Sequence, residues 1–367
     1  MHRTSLLSEA TGRRPSYKGR AMIVTRTPFR ITLGGGGTDL PSFYEKHGGY
    51  ILALGIDKYM YVALNVPYAD RKVRLHYTQS EVVDDAKDLK HELAREALLA
   101  HDIHDGIEIA SLADLPAGTG LGSSSCYLVG LLGAIRAYRR RPATSEELAD
   151  EACRIELDVL KKPIGKQDQY MAAAGGLTEL HIAKNGAVRV EQITLPEYAV
   201  DEFTANTHLY YTNVQRTTTD ILGEQSKAMR AGPSAVEDNL LKIREIGYRI
   251  GEAIRAADFD EFGRLTHQHW LAKKELSPGV TVSAAERLYD FVRAEFGVLG
   301  GKIAGAGGGG FLMLYCPAQN SHRLTKFMQE QGLARLSYRA EYDGSRVITN
   351  VMSSRAVPMH LPQPVPA

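Results

Sequence analysis

Segments with the residue pattern of strands and segments with the pattern of helices follow one another along this chain of 367 residues. Segments 22–33, 50–66, 73–77 and 106–111 are rich in β-branched and aromatic residues, which is the composition of strands. Four strands are therefore predicted in the first third of the chain, ahead of the first long helix.

Helical periodicity follows in the second hundred residues. One helix is predicted over residues 123–139 and a second over residues 146–160. The second helix follows a capping box, in which the side chains of Thr144 and Glu147 each accept a hydrogen bond from the other residue's backbone N–H. The first helix begins directly after a glycine-rich stretch, so its N-terminus is predicted to face that stretch.

A hairpin closes the first predicted domain. Asn185-Gly186 separates two strand-like runs, and tight primed turns favour this dipeptide because both central residues need a positive φ. The later part of the chain is predicted to hold strands at 207–213, 301–304, 311–315 and 337–342, with helices between 220 and 296 and over 323–331. This order indicates the α+β class, with domains over residues 22–200 and 201–352 and a second domain that resembles a ferredoxin-like sandwich.

Composition and charge restrict the class of partner. With 44 Lys and Arg against 43 Asp and Glu, the net charge is +1, so neither a nucleic acid nor an anionic membrane surface is expected as the main partner. The three cysteines lack the spacing of a metal site or a disulfide framework, which is typical of the reducing cytoplasm. Residues 1–21 are predicted to be a disordered basic leader and residues 353–367 a proline-rich tail. The oligomeric state expected from the sequence is a monomer or a homodimer.

Glycines gather in three places. The chain holds 35 glycines among 367 residues, a larger share than the roughly 7 % of an average protein. Many fall in three clusters: Gly34–Gly37, then Gly118, Gly120 and Gly122, then Gly300–Gly310. A clustered excess excludes collagen and argues against a flexible linker. The clusters are predicted to mark places where the backbone comes close to a ligand or to another segment.

The middle cluster lies between a strand and the helix predicted from residue 123. Alternate glycines let successive backbone N–H groups turn to one side, and the helix start adds free N–H groups and the positive end of the helix dipole. This pattern predicts a phosphate cradle, although it lacks the Gly-Lys-Ser/Thr end of a Walker A loop. In the alternative, the serines only cap the helix. The candidate residues are Pro116, Gly118, Thr119, Gly120, Leu121, Gly122, Ser123, Ser124 and Ser125.

The first cluster follows Arg30 and leads into an aspartate. Four glycines leave room for a sugar-sized ligand, Asp39 can accept hydrogen bonds from two hydroxyl groups, and Arg30 can offset phosphate charge. In plainer interpretations, Asp39 caps a helix starting near Leu40 and Arg30 is a solvated strand residue. The candidate substrate-binding residues here are Gly35, Gly36, Gly37, Thr38 and Asp39.

Two more acidic residues and the last glycine cluster complete the candidates. Asp168 can take a proton from a hydroxyl nucleophile or cap a helix. Glu156 is either a Mg²⁺ ligand or a solvated helix residue. Residues 305–310 fit Gly-x-Gly-x-x-Gly, but a strand follows where a dinucleotide site needs a helix. An NADP-dependent oxidoreductase is therefore the weaker alternative, and contact with a phosphate or with the facing domain explains the cluster better.

The three clusters occur in one order with specific neighbours. Pro28-x-Arg30-x-x-Leu33 leads to Thr38-Asp39, Pro116-x-Gly118-x-Gly120-Leu-Gly122-Ser-Ser-Ser125 follows, and Lys302-Ile-x-Gly305-x-Gly307-Gly-Gly-Gly310 comes last. Over residues 22–350 these segments resemble the three signatures of the GHMP kinases, which include galactokinase, homoserine kinase and mevalonate kinase. The resemblance implies an N-terminal domain like ribosomal protein S5 domain 2, a ferredoxin-like C-terminal domain, and ATP with Mg²⁺ bound at the middle cluster.

The resemblance also implies roles for single residues. Ser124 matches the family's Mg²⁺-binding serine and Glu156 its acidic partner. Asp168 matches the catalytic aspartate, and Arg30 the basic residue beside it. Phosphoryl transfer needs positioning, charge neutralisation and a modest base, which these residue types supply. A sugar sensor on the same fold, without catalysis, would not need to keep Ser124, Glu156 and Asp168.

The first glycine cluster favours one branch of this family. Gly36 and Gly37 stand where galactokinase has Glu and His, and the runs GGGGTDLPSFYEKHGG and GKQDQYMAAAGG resemble the bacterial D-glycero-D-manno-heptose 7-phosphate kinases. Those enzymes phosphorylate the anomeric hydroxyl group on the route to GDP-heptose for capsule or lipopolysaccharide. A fucose- or mannose-type sugar-1-kinase is the alternative. Further candidates for substrate binding are the basic residues Lys166, Arg216 and Lys58, with Gly307 and Gly308.

Overall fold

Two sheets and the helices around them form the described part of the chain. A computed structural model describes residues 21–212, 222–223, 226–227, 229, 235–276, 283–305 and 310–352. The predictions for residues 1–20, Arg216, Gly307, Gly308 and residues 353–367 lie outside the described residues. Residue 21, the last of the predicted leader, is the first residue of a strand.

The strands are β1 (Ala21–Gly34), β2 (Gly49–Asn65), β3 (Val73–His76), β4 (Ser80–Val83), β5 (Ile107–Ala113), β6 (Leu177–Ile182), β7 (Val188–Gln192), β8 (Thr207–Tyr211), β9 (Gly300–Ile303), β10 (Phe311–Tyr315) and β11 (Arg346–Met352). The helices are α1 (Pro41–His47), α2 (Glu92–Ala100), α3 (Ser123–Tyr138), α4 (Ser145–Cys153), α5 (Gln167–Ala174), α6 (Glu197–Asn206), α7 (Ala235–Arg255), α8 (Phe259–Lys274), α9 (Ser283–Phe296) and α10 (Ala318–Glu330). A 3₁₀ turn (Ala86–Asp88) and a π-helical turn (Arg154–Val159) complete the set.

The first sheet is built around the long strand β2. Its strand order is β11-β1-β2-β5-β3-β4, and β6 also pairs with β2 and continues to β7. The first half of β2 pairs with β6 and its second half with β5, so one strand joins both parts of the sheet. The first eight residues of β2 are all buried, which explains why this run is almost continuously apolar. The predicted hairpin at Asn185-Gly186 is confirmed as the connection between β6 and β7.

Helix α3 packs across this sheet. It begins at Ser123, directly after Gly122, whose φ of 88° ends the preceding loop. Its residues from Ser125 to Leu132 are all buried, so the helix is apolar on nearly every side because protein surrounds it. The predicted start of this helix and the capping box of the next helix are both confirmed. None of the described helices is both long enough and apolar enough to cross a lipid bilayer.

The second sheet belongs to the later part of the chain. It has the antiparallel order β8-β10-β9, and every residue of β10 is buried. A second core forms on it around Trp270, Tyr289 and Val292. The predicted strands near 207, 301 and 311 are confirmed, and so is the α+β class.

One predicted strand is wrong. Residues 337–342 form no ladder and contribute one isolated bridge, from Ala340 to Ile56 in the first sheet, while the neighbouring Arg335 bridges to Tyr210 in the second sheet. This segment crosses from one sheet to the other, so its two ends cannot share one ladder, although its residues alternate as a strand would. The chain then adds β11 to β1. The domain limits 22–200 and 201–352 stay a prediction, and the end of the second range lies in the first sheet.

Candidate active site

A cavity of about 230 Å³ lies where the three glycine clusters approach one another. Strand β1, the loop before α3, the π-helical turn, α5, α8 and β9 all contribute to its wall. The predicted residues that line it are Arg30, Gly36, Gly37, Asp39, Gly118, Gly120, Gly122, Ser123, Ser124, Ser125, Glu156 and Asp168. Candidates from four separate stretches of sequence thus share one wall.

Two predicted substrate-binding residues lie behind this wall. The Thr38 hydroxyl donates to the Tyr50 carbonyl oxygen at 2.7 Å and accepts from the Tyr50 N–H at 3.0 Å. A Cβ on Gly35 would come within 1.8 Å of that same carbonyl oxygen, so the backbone there is in direct contact with β2. Gly35 and Thr38 therefore fix the loop onto the sheet, and the structure does not bring them to the ligand side.

Two of the predicted basic residues, Lys166 and Lys58, also point elsewhere. The Lys166 ammonium donates to the Gly186 carbonyl oxygen at 2.5 Å and belongs to a neighbouring surface cavity. Lys58 forms an ion pair with Asp57 at 2.9 Å. Neither lysine lines the cavity, so their role in binding a sugar phosphate stays a prediction.

The loop before α3 leaves the first turn of the helix open. Gly118, Gly120 and Gly122 have φ values of 75°, 78° and 88°. The N-cap residue is a glycine, so no side chain occupies the free N–H groups of the first turn. These groups and the helix dipole favour an anion at this end. The remaining cradle candidates support the loop: Leu121 is fully buried, and the Thr119 hydroxyl donates to the Pro116 carbonyl oxygen at 3.1 Å.

The middle and last glycine clusters meet backbone to backbone. A Cβ on Gly305 would lie 2.7 Å from the Gly120 Cα, and a Cβ on Gly310 would lie 2.2 Å from the Thr119 carbonyl oxygen. Side chains at either position would separate the two segments. The predicted contact of the last cluster with the facing domain is present in the described residues on both sides of residues 306–309.

Arg30 and Asp168 form an ion pair in the wall of the cavity. The Arg30 Nε and Nη2 atoms donate to Asp168 Oδ1 at 2.8 and 2.5 Å, and Nη1 donates to the Gly120 carbonyl oxygen at 2.7 Å. Arg30 is buried and Asp168 is partly exposed towards the cavity. The guanidinium thus joins strand β1, the glycine loop and α5 at one point, which excludes the interpretation of Arg30 as a solvated residue.

The second carboxylate oxygen of Asp168 is open. Besides Arg30, the Gln167 side-chain amide also donates to Oδ1, at 2.7 Å. Oδ2 has no hydrogen-bond partner among the described residues, and it lies 3.6 Å from the position that a Cβ on Gly122 would take. Glycine at 122 therefore keeps Oδ2 accessible next to the start of α3. An oriented carboxylate with one free oxygen is suited to accept a proton.

Asp39 supports the helix that carries Asp168. Its Oδ2 accepts from the backbone N–H of Gln167 at 3.0 Å, and its Oδ1 lies 3.3 Å from the backbone N–H of Gly37. Burial is the main reason that the pKa of Asp39 lies above its usual value. Asp39 therefore caps α5 from a distant segment and is not a cap of α1, whose N-cap residue Leu40 makes no side-chain bond.

Glu156 lies at the bottom of the cavity on the π-helical turn. Ser125 donates to its Oε2 at 3.0 Å and the Gln169 amide at 2.6 Å, while the Ser124 hydroxyl lies 3.4 Å from Oε1. The residue is only 1 % exposed, and burial raises its pKa. The ammonium nearest to it is that of Lys162, at 4.0 Å. Glu156 is therefore not the solvated helix residue of the alternative interpretation.

The side-chain oxygen atoms of Ser124 and Glu156 are suited to bind a magnesium ion. Mg²⁺ takes carboxylate and hydroxyl oxygens and commonly completes its ligands with substrate phosphates. Ser124 Oγ and Glu156 Oε1 are such oxygens, and the carboxylate is buried among neutral donors and one distant ammonium. A cation there would compensate the buried negative charge.

Several residues of the wall were not predicted as site residues, among them four polar ones. Lys273 and His269 lie on α8 and Thr32 on β1, and Lys302 appeared only as the first letter of a motif. His269 and Lys273 are four residues apart and share one helix face. This face is buried. Polar residues on one face of a helix that is otherwise packed were the feature of the sequence that could have identified these two site residues.

Comparison with known proteins places this geometry in a family. Residues 86–176 match the GHMP kinases N terminal domain, and residues 252–333 match the GHMP kinases C terminal domain. The D-glycero-alpha-D-manno-heptose 7-phosphate kinase of Campylobacter jejuni is 29 % identical over 329 residues, which cover 84 % of this chain and 94 % of that protein. The L-fucokinase/L-fucose-1-P guanylyltransferase of Bacteroides fragilis is 30 % identical over 83 % of this chain, and the match spans 36 % of that longer protein.

Solved structures share the fold over most of the chain. A D-glycero-D-manno-heptose 1-phosphate kinase from Bacteroides thetaiotaomicron superposes with a TM-score of 0.73 at 22 % identity, covering 89 % of this chain and 99 % of that one. The Lactococcus lactis galactokinase complexed with galactose gives a TM-score of 0.70 at 18 % identity, covering 89 % and 95 %. The predicted two-domain fold is confirmed by both family matches in the expected order. The chain belongs to the GHMP kinases, a family of ATP-dependent phosphotransferases.

Proposed function

We propose that this GHMP kinase is a sugar kinase that transfers the γ-phosphoryl group of ATP to the anomeric hydroxyl group of D-glycero-D-manno-heptose 7-phosphate. The products are the 1,7-bisphosphate and ADP. The observation that carries the transfer is the Arg30–Asp168 pair, with one free aspartate oxygen beside the open N-terminus of α3. The choice of sugar is supported by the heptose kinase among the relatives and by the side-chain-free Gly36 and Gly37 at the cavity wall.

Asp168 acts as the base. Its Oδ2 accepts the proton of the anomeric hydroxyl group while that oxygen forms a bond to the γ-phosphorus. The bond from the γ-phosphorus to the bridging oxygen breaks, and its electron pair leaves with ADP. Arg30 fixes the carboxylate through Oδ1, so that only Oδ2 is offered to the hydroxyl group.

The remaining residues position the phosphates. The free N–H groups at the start of α3 donate hydrogen bonds to phosphate oxygens, and the Arg30 guanidinium supplies a fixed positive charge next to the reacting group. Ser124 and Glu156 would hold Mg²⁺, which when bound neutralises negative charge on the phosphates. Asp39 keeps α5 in place and presents a carboxylate at the sugar side of the wall.

The proposal gives the reaction a cellular setting. A heptose 1,7-bisphosphate is an intermediate on the way to GDP-heptose for capsule or lipopolysaccharide, and the ATP that the reaction needs is a cytoplasmic metabolite. The chain would work there as a monomer or a homodimer.

A substrate screen tests the sugar. ADP release is measured with ATP, Mg²⁺ and one acceptor at a time: D-glycero-D-manno-heptose 7-phosphate, the unphosphorylated heptose, mannose, fucose and galactose. Turnover with the heptose 7-phosphate, with the new phosphate located at C1 by ³¹P NMR, supports the proposal. Turnover with free fucose or mannose alone would support a different sugar-1-kinase, and sugar binding without any turnover would indicate a sensor.

Substitution of the base tests the mechanism. In Asp168→Asn the amide keeps the shape but cannot take the proton, so kcat should fall by about 10² to 10⁴-fold, while ADP binding measured by calorimetry stays unchanged. Asp84→Asn, on a side chain that is 87 % exposed, is the matched control and should keep full turnover. Retained turnover in Asp168→Asn would exclude Asp168 as the base.

A further inference from the structure

Two lysines of the cavity wall have no part in the mechanism above. Lys273 on α8 and Lys302 on β9 are 5 % and 2 % exposed. The Lys302 ammonium donates to the Leu33 carbonyl oxygen at 2.8 Å, and the Lys273 ammonium donates to the Gly305 carbonyl oxygen. Neither ammonium forms an ion pair with a carboxylate of the described residues. A buried lysine without a counter-charge is unusual, because removing the ammonium from water costs free energy that only a partner of opposite charge offsets.

Two further polar groups of the same wall lack partners. Both ring nitrogens of His269, which is fully buried, are without a hydrogen bond in the described part of the chain. The hydroxyl group of Thr32, on β1, is likewise unpaired there. All of these groups line the cavity with the two lysines. Buried polar groups in folded proteins are nearly always satisfied, so this wall fits a ligand that is anionic and rich in acceptor oxygens.

The pKa values of the two lysines also fit an anionic ligand. Burial and then the charge of Arg30 lower the pKa of Lys273 to about 7. Burial, followed by the charges of Lys273 and Arg30, lowers the pKa of Lys302 well below its usual value. A dianion between the ammonium groups would reverse the repulsion and hold both lysines in the charged form.

We propose that Lys273 and Lys302 bind the phosphate group that the sugar substrate already carries. This inference rests on the proposed function and places the binding of the sugar phosphate inside the cavity, which Lys166 does not line. Lys302 contacts Leu33, the residue directly before the Gly34–Gly37 loop on the sugar side, whereas the phosphates of ATP have the N-terminus of α3. A phosphate dianion from either ligand has the same chemistry, so the test must separate the two sources.

The test compares sugars that differ only in their phosphate. Calorimetry on the ADP-loaded protein measures Kd for D-glycero-D-manno-heptose 7-phosphate and for the unphosphorylated heptose. In Lys273→Met and Lys302→Met, Kd for the phosphorylated sugar should rise about 10- to 100-fold, the loss of one charge-assisted hydrogen bond. Kd for the unphosphorylated heptose and for ADP should change less than about threefold. Lys87→Met, on a side chain that is 66 % exposed, is the matched control.

Two more variants separate charge from packing. Lys302→Gln retains a donor for the Leu33 carbonyl oxygen and removes the charge, so it should weaken binding as Lys302→Met does even if the methionine variant folds poorly. Lys302→Arg keeps the charge and should preserve the preference for the phosphorylated sugar. An equal loss of affinity for both sugars would overturn the proposal, because the lysines would then shape the cavity only.

The remaining outcomes identify the wrong source or the wrong reaction. A raised KM for ATP with an unchanged Kd for the heptose 7-phosphate would assign the lysines to ATP and overturn the proposal. If no sugar is turned over, the proposed function fails, and binding of mannose 6-phosphate against mannose then decides the lysine site alone. A lysine-dependent preference for the phosphorylated hexose supports the site, and no preference overturns it.

Discussion

Two buried glutamates five residues apart have opposite surroundings. Glu151 on α4 receives two hydrogen bonds from the Arg136 guanidinium, at 3.0 and 2.7 Å, and the His101 imidazole lies 2.9 Å from its other oxygen. Glu156 on the π-helical turn receives hydrogen bonds from serine hydroxyls and an amide, and its nearest ammonium is 4.0 Å away. Glu151 has its counter-charges within hydrogen-bond distance, whereas the Lys162 ammonium approaches Glu156 only to 4.0 Å.

The difference predicts a stabilising role for Glu151 and a functional role for Glu156. Burial alone would raise the pKa of Glu151, but His101 and Arg136 outweigh it and hold that pKa at about 2. The pKa of Glu156 is raised because burial dominates. A buried carboxylate that the protein pairs only at 4.0 Å costs stability, and this arrangement fits a site where a bound cation adds to the compensation of its charge. The π-helical turn that carries Glu156 agrees with this, since such turns frequently occur at functional sites.

The largest expected effect is on catalysis. Glu156→Gln keeps the shape of the side chain and removes the charge that would hold Mg²⁺, so kcat should fall by about 10² to 10³-fold, as for loss of one strong electrostatic contact. The melting temperature without Mg²⁺ should not fall, because the variant no longer buries a charge that Lys162 compensates only from 4.0 Å. Differential scanning fluorimetry with ADP, with and without Mg²⁺, should show that the Mg²⁺-dependent shift of the wild type is lost. An unchanged shift would remove Glu156 from the metal site.

Glu151→Gln should do the reverse. It leaves the partly buried Arg136 guanidinium without its carboxylate, so the free energy of unfolding should fall by about 2 kcal/mol. Urea denaturation followed by circular dichroism measures this loss. At a temperature where the variant is folded, kcat and the Mg²⁺ requirement should equal those of the wild type. A loss of turnover without a loss of stability would contradict the division between the two glutamates.

The pH dependence of the free energy of unfolding tests the role of Glu151 further. The pKa of Glu151 is about 2 in the folded protein against 4.5 as the reference value, so its contribution to stability is complete above pH 4.5 and is lost as the pH falls towards 2. The stability difference between the wild type and Glu151→Gln should therefore shrink by about 1 to 2 kcal/mol between pH 6 and pH 3. Urea unfolding at pH 6, 4.5 and 3 tests this. A constant difference would mean that the Arg136 contact does not depend on the charge of Glu151.

Local chemistry explains which parts of this molecule the sequence predicted. The start of α3, the capping box and the Asn185-Gly186 hairpin depend on the conformations of a few adjacent residues, and all three are confirmed. The strand predicted over residues 337–342 is absent because the chain passes there from Arg335, which bridges to the second sheet, to Ala340, which bridges to the first, and alternation along the chain cannot show this.

The candidate site divides in the same way. The glycine clusters and the acidic residues could be selected by residue type and by resemblance to a family. Lys273 could not, because its surroundings are made by β9 and β1, which are distant in sequence and adjacent only in the fold. The different surroundings of Glu151 and Glu156 could not be predicted either, since they depend on Arg136 reaching one carboxylate and not the other.

The smallest expected effects concern two adjacent hydroxyl groups. Ser124 is exposed in the cavity with its Oγ 3.4 Å from Glu156 Oε1, whereas Ser125 is buried and donates to Oε2 at 3.0 Å. Ser124→Ala should raise the Mg²⁺ concentration for half-maximal rate about tenfold, as expected for one lost oxygen ligand, at unchanged stability. Ser125→Ala should lower the free energy of unfolding by about 1 kcal/mol, the value of one buried hydrogen bond, and leave the Mg²⁺ requirement unchanged. Mg²⁺ titrations of the rate and urea unfolding on both variants test the pair, and an exchange of the two phenotypes would show that the buried hydroxyl, not the exposed one, faces the ion.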